Sequence, residues 1–138
     1  MRSIVTTGLA AVLAIPALAM FSTPVRAMDL NSFRAQHGRP ALSVSGALAS
    51  AAAAQAHSLA SRQRLDHAGF RARARTRGTA SAQNVSFGCP DEDCAIRQWA
   101  RSAGHRRNML RGDVAAYGLA SATAANGRRF WVLALGGE

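Results

Sequence analysis

The chain has 138 residues, with 17 basic side chains against 7 acidic ones and a formal net charge of +10. That length suits one domain and not comfortably two. Every basic residue is arginine, which a GC-rich coding bias produces and which also gives a surface attracted to anions.

The N-terminus reads as an export signal. Arg2 supplies a positive start, Ile4 to Met20 runs without a charge, and Val25-Arg26-Ala27 offers modest residues before a cleavage point. The apolar run is short and followed or interrupted by Pro16 and Pro24, so it makes a poor membrane span. The expectation is a signal peptide over residues 1–27, cleaved after Ala27, and a single domain over 28–138, with an uncleaved anchor as the alternative. That domain is long enough to bury a real core and keeps a net charge of about +8. A secreted or periplasmic chain of this charge points to anionic envelope surfaces and away from nucleic acid.

Asp29 to His37 is a short helical stretch with Leu30, Phe33 and Arg34 at helical spacing, ended by Gly38 and Pro40. A second helix begins near Ser43 or Ser45, either of which can cap it. It is rich in alanine, with Leu48, Ala52 and Leu59 on one face. Alanine favours the helix and allows close approach of a neighbouring layer, so this helix is expected to be buried on more than one side. Leu65-Asp66-His67 leaves it. Arg71, Arg73, Arg75 and Arg77 then recur at period two, read as a solvated loop.

Cys89 and Cys94 enclose Pro-Asp-Glu-Asp. In an exported protein a local disulfide is the default. Its loop is so short that the entropic gain falls below the ~3 kcal/mol of a 15-residue loop; its use is to fix the entrance to the next helix. Two thiolates alone lack the ligands of a metal site, and the spacing is not that of a redox pair. Asp91, Glu92 and Asp93 open that helix where its dipole favours acids. Ile96, Trp99, Ala100 and Ala103 form its apolar stripe, and Gly104 reads as its stop, placing His105 on the turn beyond. The tail reads as a hairpin about Asn126-Gly127. Its second strand, Arg128 to Leu135, is apolar on both faces, as expected of a central strand covered on both sides. The fold class is therefore α/β, a three-layer α/β/α domain.

Of four histidines, His37 and His57 read as structural or solvated. His67 and His105 stand where elements end, the places at which sites are displayed. Two histidines can begin a metal site, but zinc needs at least a third protein ligand.

From about Leu30 to Gly137 the chain resembles the CAP superfamily (cysteine-rich secretory, antigen 5 and pathogenesis-related proteins), and in particular its small bacterial, SCP-like branch. The resemblance rests on five pieces in order: L-N-S-F-R-A-Q-H-G-R-P-A-L; A-Q-A-H-S-L-A with L-D-H; A-Q-N-V-S-F-G; W-A-R-S-A-G-H-R-R-N-M-L; and Y-G-L-A with F-W-V-L-A-L-G. It implies an α/β/α sandwich with a cleft holding two histidines, here His67 and His105, and in many members two acids. The acid of the family's G-E-N segment falls at Gln83. The second acid has no match, and Ser102 occupies its neighbourhood. Glutamine keeps hydrogen bonding but cannot act as an anionic ligand or general base. Metal affinity of His67 and His105 for zinc or another divalent ion is therefore expected to be weak. Asp66 and Asp91–Asp93 are the nearest substitutes in sequence, though the run reads better as a charged helix start. Asn84 and Asn108 are expected to tie segments together, Trp99 and Trp131 to be core, and Arg106 and Arg107 to rim the cleft or be solvated.

Three functions compete. The first is a monomeric, secreted, non-catalytic binding module for a small or lipid-like ligand. The second is a hydrolase in which His67 or His105 activates water or Ser102; it lacks any specific catalytic signature. The third is adhesion to the envelope by charge alone.

Overall fold

A computed structural model describes residues 26–70 and 80–137. The segment read as a signal peptide falls outside them up to residue 25, and so do Arg71, Arg73, Arg75 and Arg77. In chain order the elements are α1 (Leu30–Gln36), β1 (Ser43–Val44), α2 (Gly46–Arg62), β2 (Ala80–Phe87), α3 (Glu92–Ala100), α4 (Ala103–Met109), β3 (Ala116–Thr123) and β4 (Arg129–Gly136).

The four strands form one sheet in the order β1-β3-β4-β2. β1 lies parallel to β3, and the other two pairings are antiparallel. β4 is thus central, as its two apolar faces require. Phe130, Val132 and Ala134 pack with Leu48, Ala52, Ala56 and Leu59 of α2. Trp131, Leu133 and Leu135 point to the opposite face and meet Phe33 of α1, Ile96 and Trp99 of α3 and Met109 of α4. The two cores make three layers: α2, the sheet, and the layer of α1, α3 and α4.

α2 starts at Ser45, whose hydroxyl accepts the Leu48 N–H. It buries one stripe, Leu48, Ala51, Ala52, Gln55, Ala56, Leu59 and Ala60, and not several sides as its composition suggested. Ala47, Ser50 and His57 on the other side are exposed. The alanines serve close approach on the sheet side: a Cβ on Gly118 of β3 would overlap the backbone of Leu48 and Ala49. At the hairpin, Gly127 takes a left-handed φ of 80°, and the Arg128 N–H donates to Asn126 Oδ1.

Arg34 is 1% exposed. Its guanidinium donates to the carbonyls of Pro40, Met109 and Arg111. It therefore caps the C-terminal end of α4, where the helix dipole favours a cation, and ties α1 to the segment carrying His105.

Candidate functional site

The reading of His105 on a turn beyond a helix is corrected. The break comes earlier: α3 ends with Arg101 as C-cap, and Ser102, in extended backbone, is the N-cap of α4. Gly104 and His105 lie inside α4. Ala103, assigned to the apolar stripe, is exposed. A Ser N-cap was the available signal for the second helix; Gly104, a common helix stop, masked it.

α4 is held to β2 by two asparagines. Asn84 is fully buried; its amide donates to the His105 carbonyl at 3.0 Å. Its oxygen accepts from Asn108 Nδ2 at 2.9 Å. Residues three apart on α4 are thus fixed to one strand position, which sets the azimuth of the helix and the direction of His105.

His67 reaches the site from the other layer. α2 ends at Gln63, in left-handed backbone. Asp66 then turns the chain by accepting the Ala68 N–H at 3.0 Å while pairing with Arg62 at 2.7 Å. His67 Nδ1 lies 3.0 Å from Gln83 Oε1. A carboxamide oxygen only accepts, so Nδ1–H is the donor in this contact. His105 is half-buried, and burial holds its pKa below the usual histidine value; the nearby charge of His67 adds to this. His67 follows α2 and His105 lies on α4, in the layers on opposite faces of the sheet.

The acids offered as substitutes are committed elsewhere. Arg62, with the Ala68 amide, holds Asp66 at about 2. Asp91 caps α3 through the Cys94 N–H. Asp93 pairs with Arg97 at 2.9 Å and accepts from the Met28 nitrogen. Glu92 is pushed up by burial and by Asp29. No group of three or more metal-binding side chains occurs among the described residues. Two imidazoles and a carboxamide do not fit the three protein ligands that a zinc site needs.

A cavity of about 250 Å3 opens beside His105. Leu65, Val85 and Phe87 give it apolar walls; Ser86, Gln98, Trp99 and Ser102 join His105 on the rest. Ser102 makes no side-chain cap bond, and no hydrogen bond joins it to His105 among the described residues. A larger cavity of about 300 Å3 lies between α1 and α3 and contains none of the cleft residues. Cys89 and Cys94 form the expected disulfide, with Cα atoms 5.4 Å apart. Trp131 Nε1 donates to the Cys89 carbonyl at 2.8 Å, anchoring this entrance to the sheet. Arg106 and Arg107 are exposed, and Arg106 reaches back to the Ala100 carbonyl.

The family model for the cysteine-rich secretory protein family matches residues 29–135. Comparison with curated proteins finds no match. Among solved structures, an outer surface protein of Borrelia burgdorferi is similar with a TM-score of 0.67 at 15% identity, covering 79% of this chain and 86% of that one. An extracellular protein with an SCP domain from Bacillus anthracis gives 0.62 at 17%, covering 79% and 38%. A cysteine-rich secretory protein of Staphylococcus aureus gives 0.58 at 18%, covering 76% and 35%. The chain thus spans well under half of the last two proteins. No helix among the described residues is long and apolar enough to cross a membrane. The match over residues 29–135, with this sandwich and the ordered motifs around His67 and His105, places the chain in the cysteine-rich secretory protein family, the CAP family.

Proposed function

We propose that this chain is an exported CAP-domain binding module whose histidine cleft holds a small ligand without turning it over. The observation that carries this reading is the 3.0 Å contact between His67 Nδ1 and Gln83 Oε1. An amide stands where the family motif has an acid. It orients the imidazole as a carboxylate would, but it cannot take a proton or supply a negative charge. The other nearby acid, Asp66, is neutralised by Arg62. The cleft keeps its shape without its acid–base chemistry.

Export to the envelope or extracellular space is part of the proposal. It is supported by the N-terminal sequence pattern and by the extracellular protein among the similar structures. The arginine excess, with Arg101, Arg106, Arg107, Arg128 and Arg129 exposed, would hold the protein near anionic surfaces. That attraction falls with salt, whereas cleft binding responds to His105→Ala.

Zinc titration by calorimetry, on the protein and on His105→Ala, tests the reading. The expected result is little or no heat in either. Micromolar binding abolished in His105→Ala would make the two histidines a working metal site and would revive hydrolysis.

A further inference from the structure

Three large hydrophobic side chains are exposed among the described residues: Val44 at 71%, Leu65 at 42% and Phe87 at 38%. Leu65 and Phe87 line the same cavity, the one beside His105, so they share one surface. Their positions are fixed by neighbours. Leu65 follows the exit of α2, where Gln63 Oε1 accepts from Asn126 Nδ2 of the β3–β4 turn at 2.7 Å. Phe87 ends β2, and its ring centre lies 5.8 Å from that of Phe130 on β4. Cations accompany the pair. The Arg128 guanidinium sits 4.5 Å from the centre of the Phe87 ring, and Arg129 beside it is exposed. Next to Leu65, Arg62 and Arg64 share one acid, Asp66, at 2.7 and 3.3 Å, which leaves that group with a net positive charge. An arginine over an aromatic ring keeps its stem on the apolar surface and its head in water.

We propose that this face docks on an anionic phospholipid bilayer, with Leu65 and Phe87 entering the headgroup region and Arg64, Arg128 and Arg129 meeting lipid phosphates. The proposal rests on the reading of an exported protein drawn to anionic surfaces, and names the surface it uses. The formal net charge of +10 belongs to the whole chain and by itself selects no side. What singles out this face is the pairing of exposed apolar side chains with cations. Peripheral proteins hold a bilayer in that way, through buried apolar area plus attraction to anionic lipid. A folded protein partner fits less well. Stable protein interfaces bury about 1,200 Å2 or more, whereas only two of the exposed large hydrophobics meet here. A soluble polyanion would satisfy the arginines and leave Leu65 and Phe87 in water. Val44 provides a control. It is more exposed than either but lies on β1, at the edge of the sheet opposite β2.

Co-sedimentation of the exported protein with vesicles tests this, using equimolar phosphatidylglycerol and phosphatidylcholine against phosphatidylcholine alone. Binding is expected to the anionic vesicles and much less to the neutral ones. Part of it should survive about 0.5 M salt, where long-range attraction is largely screened. Leu65→Ser and Phe87→Ser should each lower the partition coefficient roughly five- to tenfold, the effect of withdrawing a half-exposed apolar side chain. Arg128→Gln should lower it about fivefold, and Val44→Ser should leave it unchanged. Phe87→Trp adds a readout local to this face, whatever precedes Met28, and both native tryptophans are buried. Its emission should shift to the blue on anionic vesicles and be quenched by lipids brominated near the headgroup. The proposal is overturned if that emission stays at its value in water while the protein is bound, or if Val44→Ser weakens binding as much as Phe87→Ser. It is also overturned if binding vanishes at about 0.5 M salt and ignores Leu65→Ser and Phe87→Ser, which is adhesion by charge alone. Polyglutamate bound as tightly as the vesicles, with Phe87→Ser affecting neither, would assign the arginines to a soluble polyanion and overturn it too. Zinc titration bears on the non-catalytic cleft and not on this face, so the two readings fail separately.

Discussion

Asn84 and Ser86 lie two residues apart on β2, both buried, and their responses to alanine should differ sharply. Asn84→Ala removes the donor to the His105 carbonyl and the acceptor for Asn108. Each buried group left without a partner costs about 1–3 kcal/mol, and since Asn108 Nδ2 keeps a 3.5 Å contact with the Gln83 carbonyl the expected loss is roughly 2–5 kcal/mol. For a domain near 100 residues, each kcal/mol moves Tm by about 4 °C or more, so the midpoint should fall by roughly 10 °C or more. Ser86→Ala removes a hydroxyl with no hydrogen-bond partner among the described residues. Its expected effect is near zero or up to about 1 kcal/mol stabilising, because a desolvated hydroxyl is deleted and no bond is lost. Urea denaturation with an unchanged m-value is the assay. A loss under about 1 kcal/mol in Asn84→Ala, or an equal loss in Ser86→Ala, would refute the hydrogen-bond assignment that positions His105.

Gly118→Ala should destabilise by about 1–3 kcal/mol or more, because its Cβ meets α2 backbone and overpacking of that kind cannot relax through a side chain; thermal melting checks it. His105 should make stability fall in acid. Its pKa is lowered on folding, so the unfolded chain binds the extra proton first. Stability contributed at neutral pH is then lost from about pH 6.5 downward until the folded pKa is passed. His105→Gln should flatten that part of a stability–pH curve; an unchanged slope would contradict it. If export cleaves after Ala27, the Met28 nitrogen facing Asp93 becomes an ammonium, and the chain starting at Met28 should melt higher than one extended by Arg26-Ala27. Equal melting temperatures would argue against the contact or the cleavage point.

The sheet was legible because β4 alternates two apolar sets, and a strand apolar on both faces must be covered on both. The contact of His67 with Gln83 was legible only through the resemblance, since the two are 16 residues apart and belong to different parts of the fold. β1 was not legible: two residues carry no period, and its pairing with β3 is set by a chain 73 positions away. Arg34 fitted a helical stripe but gave no sign of full burial, because its partners are backbone carbonyls of α4 and its exit. The helix break at Ser102 was misread because Gly104 is the stronger local signal, although α4 tolerates it near its first turn. Trp99 reads as core, which it is; that its indole nitrogen finds no partner among the described residues depends on tertiary packing and could not be read from spacing.

The central claim is that an amide at position 83 preserves the cleft's shape and removes its charge. Gln83→Glu would restore a carboxylate 3.0 Å from His67 Nδ1, the arrangement in which an outer carboxylate strengthens a histidine ligand and is worth about 10–100-fold in metal affinity. Zinc affinity measured side by side on the natural protein and Gln83→Glu is the most direct test. The account predicts a gain of that order from a weak or undetectable starting point. Equal affinities, or tight binding already present with glutamine, would contradict it.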